Sequence, residues 1–172
     1  MSESITDFIT EMSEADRIVL MTIASSGTIK STRLQKLTLK IKAVYDGKIN
    51  FYEPYLFGGF SDEVDESVNS LRSEGFLIYE NGFRVNEDGK KLYEALSSEE
   101  TELDETAKNV IKMMEGLSDK QVTAITYKLF PTLTKNSIIK DEMEKVGKDV
   151  TVQSFDINKI RLRQKDGTDK KY

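Results

Sequence analysis

The strongest structural signal in this sequence is a short hairpin motif that follows three helical patterns. Asn81-Gly82 is a dipeptide favoured in two-residue type I′ turns, and it joins two apolar-rich runs at 76–80 and 83–86. Helical patterns precede it over about 13–24, 30–46 and 61–74. A lone two-stranded hairpin is rarely stable, so we expect it to pack on those helices. This order is typical of a winged helix-turn-helix domain.

Local signals fix where the predicted helices begin. Ser13, Ser61 and Ser118 each stand where an N-cap is expected, and Asp16 completes a capping box with Ser13. The second of the three helices has an apolar stripe made of Leu34, Leu37, Ile41 and Val44. We expect its bases to fill the rest of its surface; they are Arg33, Lys36, Lys40 and Lys42.

The fold class predicted is mainly α with a small two-stranded β-wing, a winged helix-turn-helix with a C-terminal helical extension. We divide the chain into an N-terminal arm or short helix (1–12), a winged-helix domain (13–97), a helical extension (98–147) and a short strand with a basic tail (148–172). The extension should hold helices at about 99–115, 118–130 and 136–146, and the strand should include Val150 and Val152. An apolar stripe in the extension makes a homodimer our expectation; its residues are Val110, Ile111 and Met114.

The composition argues against catalysis. The chain has no His and no Cys, which excludes a Ser-His-Asp triad, a Cys-His nucleophile and a zinc finger. No phosphate-binding P-loop motif occurs. We therefore expect a non-enzymatic protein without a cofactor or a metal. The acidic N-terminus and the short apolar runs predict a cytoplasmic protein with no membrane partner.

The net charge of −5 conceals a segregated distribution. Residues 25–48 hold six bases and one acid, a balance of +5, and residues 145–172 hold eight bases and four acids, a balance of +4. The remainder of the chain therefore sums to −14. Basic segments of this kind suggest contact with a polyanion, although a solvated helix face explains such a pattern about as well.

Our leading functional hypothesis is a regulator that binds nucleic acid, with DNA as the expected ligand, through the basic second helix and the C-terminal tail. The candidate contacts are Lys30, Arg33, Lys36, Lys40, Arg84, Arg161 and Arg163. The third helix opposes standard major-groove reading, because it begins Ser61-Asp62-Glu63-Val64-Asp65-Glu66 and its carboxylates would face phosphates. Acids in a first turn are also ordinary helix capping.

The alternative hypothesis is an antitoxin-like protein-interaction module that binds a partner protein rather than DNA. Five aromatic residues crowd the segment 51–60, where they either cap the helical core or form an exposed patch. We interpret this segment as a packed loop. The candidate partner contacts are Tyr52, Tyr55, Phe57, Asp62, Glu63 and Glu66.

Several motifs resemble those of the YwgA-like proteins and the related Panacea antitoxin domains, whose helix pattern T-K/R-L-Q-K-L is similar to TRLQKL at 32–37. The other similar stretches, which together span about 14–145 and include one typical of archaeal members, are EPYLFGGFS (53–61), EGFLI (74–78), VNEDGKKL (85–92), ITYKLFP (125–131) and SIIKDE (137–142). Within the loop, the Pro-Tyr pair is displaced from the family's G-P-Y-S order. The resemblance implies a winged-helix-like fold and a non-enzymatic role as a regulator or a toxin-neutralising partner.

Overall fold

A computed structural model of the chain describes residues 2–55 and 58–148, and within them the protein is mainly helical with two small antiparallel hairpins. The elements are α1 (Ser2–Glu11), α2 (Glu14–Ser26), α3 (Ser31–Asp46), β1 (Glu53–Tyr55), β2 (Gly58–Phe60), α4 (Asp62–Ser73), β3 (Leu77–Tyr79), β4 (Phe83–Val85), α5 (Glu87–Glu99), α6 (Thr101–Met114), α7 (Asp119–Leu129), a 3-10 turn (Pro131–Thr134) and α8 (Lys140–Lys148).

The three helix starts predicted from serine caps are confirmed. The hydroxyl of Ser13 accepts a hydrogen bond from the amide of Asp16, and the Asp16 carboxylate accepts one from the amide of Ser13, which completes the capping box. Ser118 forms the same reciprocal pair with Gln121. Ser61 caps α4 by accepting from the amide of Val64 at 3.2 Å. Serine at these positions therefore fixes the starts of α2, α4 and α7.

The hairpin β3–β4 forms where Asn81-Gly82 predicts one, but the expected two-residue turn is wrong. Tyr79 pairs with Phe83, so three residues connect the strands, and Asn81 takes the left-handed conformation with φ 57°. The reason is a competing partner for Phe83. Its amide donates to the Ile29 carbonyl at 2.8 Å and its carbonyl accepts from the Ile29 amide at 3.0 Å. The segment between α2 and α3 therefore takes the hydrogen bonds that a tighter turn would use.

The aromatic segment is a second hairpin rather than the packed loop expected from its Gly and Pro content. Glu53 pairs with Phe60 and Tyr55 pairs with Gly58, so β1 and β2 run antiparallel. Gly58 and Gly59 allow β2 to lie directly on the core, because a Cβ on Gly59 would approach Leu133 Cδ1 to 2.9 Å. The connection from α3 to α4 thus contains structure of its own.

One main hydrophobic core joins the helices from α1 to α7, and a smaller second cluster joins α7 to α8. α2 packs against α3, α4, α5 and α6, while α3 packs against α2, α6, α7 and β2. Of the helices after residue 97, α6 and α7 join the main core through Leu103, Ala107 and Ile125. Val110 and Met114 are also buried in it and Ile111 is half-buried, so Val110 and Met114 are not available for the dimer contact expected at this stripe, and the homodimer stays a prediction. Their apolar surface is already covered by the chain itself.

The last helix of the structure begins later than predicted. The last helix was expected at 136–146, but α8 begins only at Lys140, after the 3-10 turn that Pro131 opens. α8 packs on α7 through Met143, which contacts Ala124 and Tyr127. The predicted strand around Val150 lies outside the described residues. Over the described ranges no helix combines the length and apolar character needed to cross a membrane.

Candidate functional site

The lysines of α3 lie inside the protein, which corrects the expectation that they form a solvated basic face. Lys36 is 4% exposed, and Lys40 and Lys42 are each 1% exposed. Other elements pack around α3 on several sides, so its charged positions meet neighbours as its apolar stripe does. Lys36 and Lys40 are therefore not available to phosphates on the surface of this fold, and both fail as nucleic-acid contacts.

Lys40 is a buried amine with neutral partners. Its Nζ donates to the carbonyl of Val122 at 3.3 Å and to the hydroxyl of Thr126, both on α7. Desolvation is the main reason that the pKa of Lys40 lies well below its usual range, and the nearby cations Lys36 and Arg33 lower it further. Burial thus favours the neutral amine at this position.

Lys36 and Lys42 are buried in two different environments. Lys36 Nζ donates to the Gly59 carbonyl of β2 at 2.8 Å, and burial lowers the pKa of Lys36 to about 8. Lys42 instead forms ion pairs with Glu14 and with Asp46, which keep its charge compensated. The two lysines therefore fasten α3 to β2 and to α2 respectively.

Arg33 acts as a connector between helices. Its guanidinium donates to the carbonyls of Met114 and Leu117 at 2.9 Å each, and it pairs with Asp119 at 3.0 Å. These bonds satisfy carbonyls around the end of α6 and join it to the start of α7. Arg33 is thus committed to the fold and is only partly exposed.

The remaining nucleic-acid candidates are scattered. Lys30 is exposed and precedes α3, whereas Arg84 on β4 pairs with Glu80 at 2.9 Å. Arg161 and Arg163 lie outside the described residues. Contact with nucleic acid through Lys30, Arg84 and the tail stays a prediction.

The partner-binding candidates divide differently. Tyr52 is buried, and its hydroxyl donates to Thr38 Oγ1 at 2.7 Å, so it fails as a surface contact and belongs to the core. Burial also raises the pKa of Tyr52. Phe57 lies outside the described residues. Tyr55 is 55% exposed, and the three acids of α4 that we singled out, Asp62, Glu63 and Glu66, are exposed as well.

The two hairpin strands bring the exposed candidates together. Tyr55 and Phe60 stack with ring centroids 5.1 Å apart, and both line a groove of about 160 Å³. Three carboxylates line the same groove: Glu53 from β1, and Asp62 and Glu63 from the first turn of α4. We call these residues, together with Glu66, the acidic–aromatic surface. Within the described part of the chain its carboxylates form no ion pair, so their charge is directed to solvent.

A second cavity shares the Tyr55 and Phe60 rings. It has a volume of about 180 Å³ and lies between α3 and the first hairpin. Lys36 lines it, with Ser31, Thr32 and Gln35 on the same helix and Gly58 on β2. We call it the Lys36 cavity. Its walls are more apolar than polar.

Sequence reasoning missed two parts of this region. Glu53 and Phe60 belong to the acidic–aromatic surface because β1 pairs with β2, and no hairpin was expected there. The Lys36 cavity was missed because lysines are normally solvated. One available signal was Leu39, an apolar residue on the face of α3 opposite its predicted stripe, which indicates a helix buried on several sides.

Comparison of the chain with protein-family models, with curated proteins and with solved structures finds no match in any of the three.

Proposed function

We propose that this protein is a non-enzymatic, winged-helix-like module that binds a partner protein through the acidic–aromatic surface. The observation that carries the proposal is the groove in which Tyr55 and Phe60 meet Asp62 and Glu63. Aromatic rings supply contact area at low entropic cost, and exposed carboxylates beside them, which form no ion pair among the described residues, select a partner of opposite charge. The expected partner segment is therefore basic and carries at least one apolar side chain.

The winged-helix-like part of the proposal concerns residues 14–85. α2, α3 and α4 provide the three helices, and β3–β4 provides the wing. The pairing of Ile29 with Phe83 supports this arrangement, since it ties the segment between the first two helices to the wing. The α3–α4 connection covers 47–61, whereas a helix-turn-helix uses a turn of three or four residues. That insertion is what carries Tyr55 to the first turn of α4.

The electrostatics favour a protein partner over DNA at this face. A DNA reader gains affinity by replacing counterions with its own cations, and α4 offers only carboxylates in its first turn. Three of the six bases between residues 25 and 48 are buried, and Arg33 is engaged by the fold. The resemblance to antitoxin domains agrees with a partner-binding role.

A displayed library of random peptides, panned against the immobilised full chain, tests the proposal. The enriched peptides should combine Lys or Arg with an aromatic or aliphatic residue. The double variant Asp62→Lys/Glu63→Lys should weaken their binding by at least about tenfold, which corresponds to ~1.4 kcal/mol. The matched control is Glu87→Lys/Asp88→Lys, which reverses two exposed first-turn acids of α5 and should leave binding within about twofold.

Enrichment of peptides without basic residues would contradict the proposal, as would equal binding by the two double variants. A parallel titration with random duplex DNA tests the hypothesis that the chain binds nucleic acid instead of a partner protein. If the chain binds duplex at low salt and Arg161→Glu/Arg163→Glu removes that binding while no peptide is enriched, the nucleic-acid function replaces the protein-binding one.

A further inference from the structure

We propose that the partner segment occupies two pockets at once, with an apolar side chain in the Lys36 cavity and a basic side chain in the groove of the acidic–aromatic surface. This inference rests on the proposed function and assigns a pocket to each of the two kinds of side chain that the partner is expected to carry. Tyr55 and Phe60 border both pockets, so a partner that contacts these rings meets both.

The walls of the Lys36 cavity favour a neutral, apolar side chain. They are more apolar than polar and include the two stacked rings. The longer polar side chains in the wall are already engaged: Lys36 Nζ donates to the Gly59 carbonyl at 2.8 Å, and the amide nitrogen of Gln35 donates to the Ser61 carbonyl at 2.9 Å. An apolar side chain gains most from entering, because it needs no hydrogen-bond partner there.

The volume of the cavity sets the size of that side chain. The cavity measures about 180 Å³, and an apolar cavity of roughly 150 Å³ holds one benzene molecule. One phenylalanine or leucine side chain of the partner therefore fits. Ser31 and Thr32 are exposed and lie in the wall, so the cavity can be reached from the solvent at the start of α3.

The neighbouring groove favours the opposite kind of side chain. Glu53, Asp62 and Glu63 line its volume of about 160 Å³, and all three are exposed. A lysine or arginine of the partner can pair with these carboxylates while its charge lies over an aromatic face. The same base would find no carboxylate among the residues that line the Lys36 cavity. The two side chains are therefore not interchangeable between the pockets.

The shared rings bring both pockets within reach of one short segment. The ring centroids of Tyr55 and Phe60 are 5.1 Å apart, and both rings border each pocket. In an extended segment, side chains at alternate positions lie on the same face, about 7 Å apart. A segment that lies across the rings can thus place one side chain in each pocket. Tyr55 is 55% exposed, so its ring is accessible to that segment.

The experiment is a set of binding titrations on the full chain with peptides enriched from the displayed random library. Each peptide is compared with two altered versions, one with its apolar residue changed to glycine and one with its base changed to glutamine. On the wild-type chain, each change should weaken binding at least about tenfold. The comparison on wild type needs no variant of the protein, and peptides that lose nothing with their apolar residue would overturn the proposal.

Variants of the chain then assign each peptide residue to its pocket through the coupling between them. Thr32→Phe places a ring in the cavity wall, so changing the apolar residue should now weaken binding less than about threefold, while changing the base should still weaken it tenfold. Asp62→Lys/Glu63→Lys should give the reverse pattern. The matched control is Thr101→Phe, which adds the same ring at an exposed first-turn position of α6 that lines neither pocket and should behave as wild type.

The outcomes separate this inference from the function on which it rests. If the apolar residue matters equally on wild type, Thr32→Phe and a second filling variant, Ser31→Phe, the two-pocket proposal fails while peptide binding at the acidic–aromatic surface stands. Light scattering adds one more test: a wild-type chain that dimerises, and that Thr32→Phe returns to monomer, would assign the cavity to a second copy and overturn the proposal. Failure to enrich any basic peptide would instead overturn the proposed function and this inference with it.

Discussion

Two consecutive helices of this protein differ in whether their charged side chains are buried or exposed. α3 carries lysines at 36, 40 and 42 and buries all three, whereas α4 carries acids at 62, 63 and 66 and exposes all three. The difference follows from position in the fold. α3 lies among α2, α6, α7 and β2, while α4 packs against α2 and β3 and turns these acids to solvent.

The comparison shows that a charge balance along a sequence is not a charge balance on a surface. The segment 25–48 sums to +5, yet only Lys30 and Lys48 among its bases are exposed. The acids of α4 are exposed and contribute their negative charge to the surface. The surface on this side of the molecule is therefore more negative than the charge balance of the sequence indicates. Substitutions on the buried bases of α3 and on the exposed acids of α4 should therefore differ in their effect on stability.

Reversing the charge at the most deeply buried lysine should have the largest effect. Lys40→Glu places a carboxylate against the Val122 carbonyl with no compensating cation bond, and we expect a loss of about 3 kcal/mol or more in the free energy of unfolding. Denaturant titration at pH 7 measures it. Lys40→Met, which is apolar and of similar length, should equal or exceed wild-type stability. A Lys40→Glu protein as stable as wild type would show that this site is solvated.

Removing the connector on α3 should cost somewhat less. Arg33→Met deletes the bonds to the Met114 and Leu117 carbonyls and the pair with Asp119, and we expect a loss of about 2 kcal/mol. Thermal unfolding checks it. The exposed neighbouring base gives the control, since Lys30→Met should stay within about 0.5 kcal/mol. Equal effects of the two substitutions would argue that Arg33 is as solvated as Lys30.

The lowered pKa of Lys36 should be visible in the pH dependence of the free energy of unfolding. Its pKa is about 8 in the folded protein and near 10.5 when unfolded, so between these values the unfolded chain binds more protons and stability rises with pH. From pH 8 to 9.5, wild type should gain about 1.5 kcal/mol over Lys36→Met. Denaturant titrations at both pH values give the difference. Parallel curves for the two proteins would mean that Lys36 titrates as a solvated amine.

The smallest effect is expected on α4. Glu66→Lys reverses an exposed charge that has no ion-pair partner in the described residues, so the free energy of unfolding should change by less than about 0.5 kcal/mol. The same denaturant titration applies. A loss above about 1 kcal/mol would indicate that the Glu66 carboxylate contacts a part of the chain beyond these residues, and the contrast with α3 would weaken.

Helix starts and the β3–β4 hairpin could be predicted because their causes are local. A serine before a helical pattern satisfies free amides of the first turn, and this holds whatever packs around it, as Ser13 and Ser118 show. Asn81-Gly82 likewise indicates a hairpin. The length of its loop could not be predicted, because it depends on Ile29, which lies more than fifty residues earlier.

The candidate site was harder to predict because it depends on tertiary burial. Tyr55, Asp62 and Glu63 were found from composition and lie together, whereas Tyr52, only three residues before Tyr55, is inside the core. Tyr52 precedes β1, so the alternation of that strand does not cover it, and its burial depends on where the hairpin packs. The lysines of α3 fail for the same reason, since periodicity identifies one buried face and not a helix surrounded on several sides.

The two glycines of β2 bear on how this protein could be dissected. A Cβ at Gly58 would come within 2.7 Å of Tyr127 Cε1, and one at Gly59 within 2.9 Å of Leu133 Cδ1, so the first hairpin lies directly on residues from α7 and the 3-10 turn. A fragment ending after α5 would keep every residue of the acidic–aromatic surface. It would lose Tyr127 and Leu133, on which the first hairpin packs. The minimal fragment for grafting that surface onto another scaffold therefore extends to Thr134, some thirty-five residues beyond the end of α5.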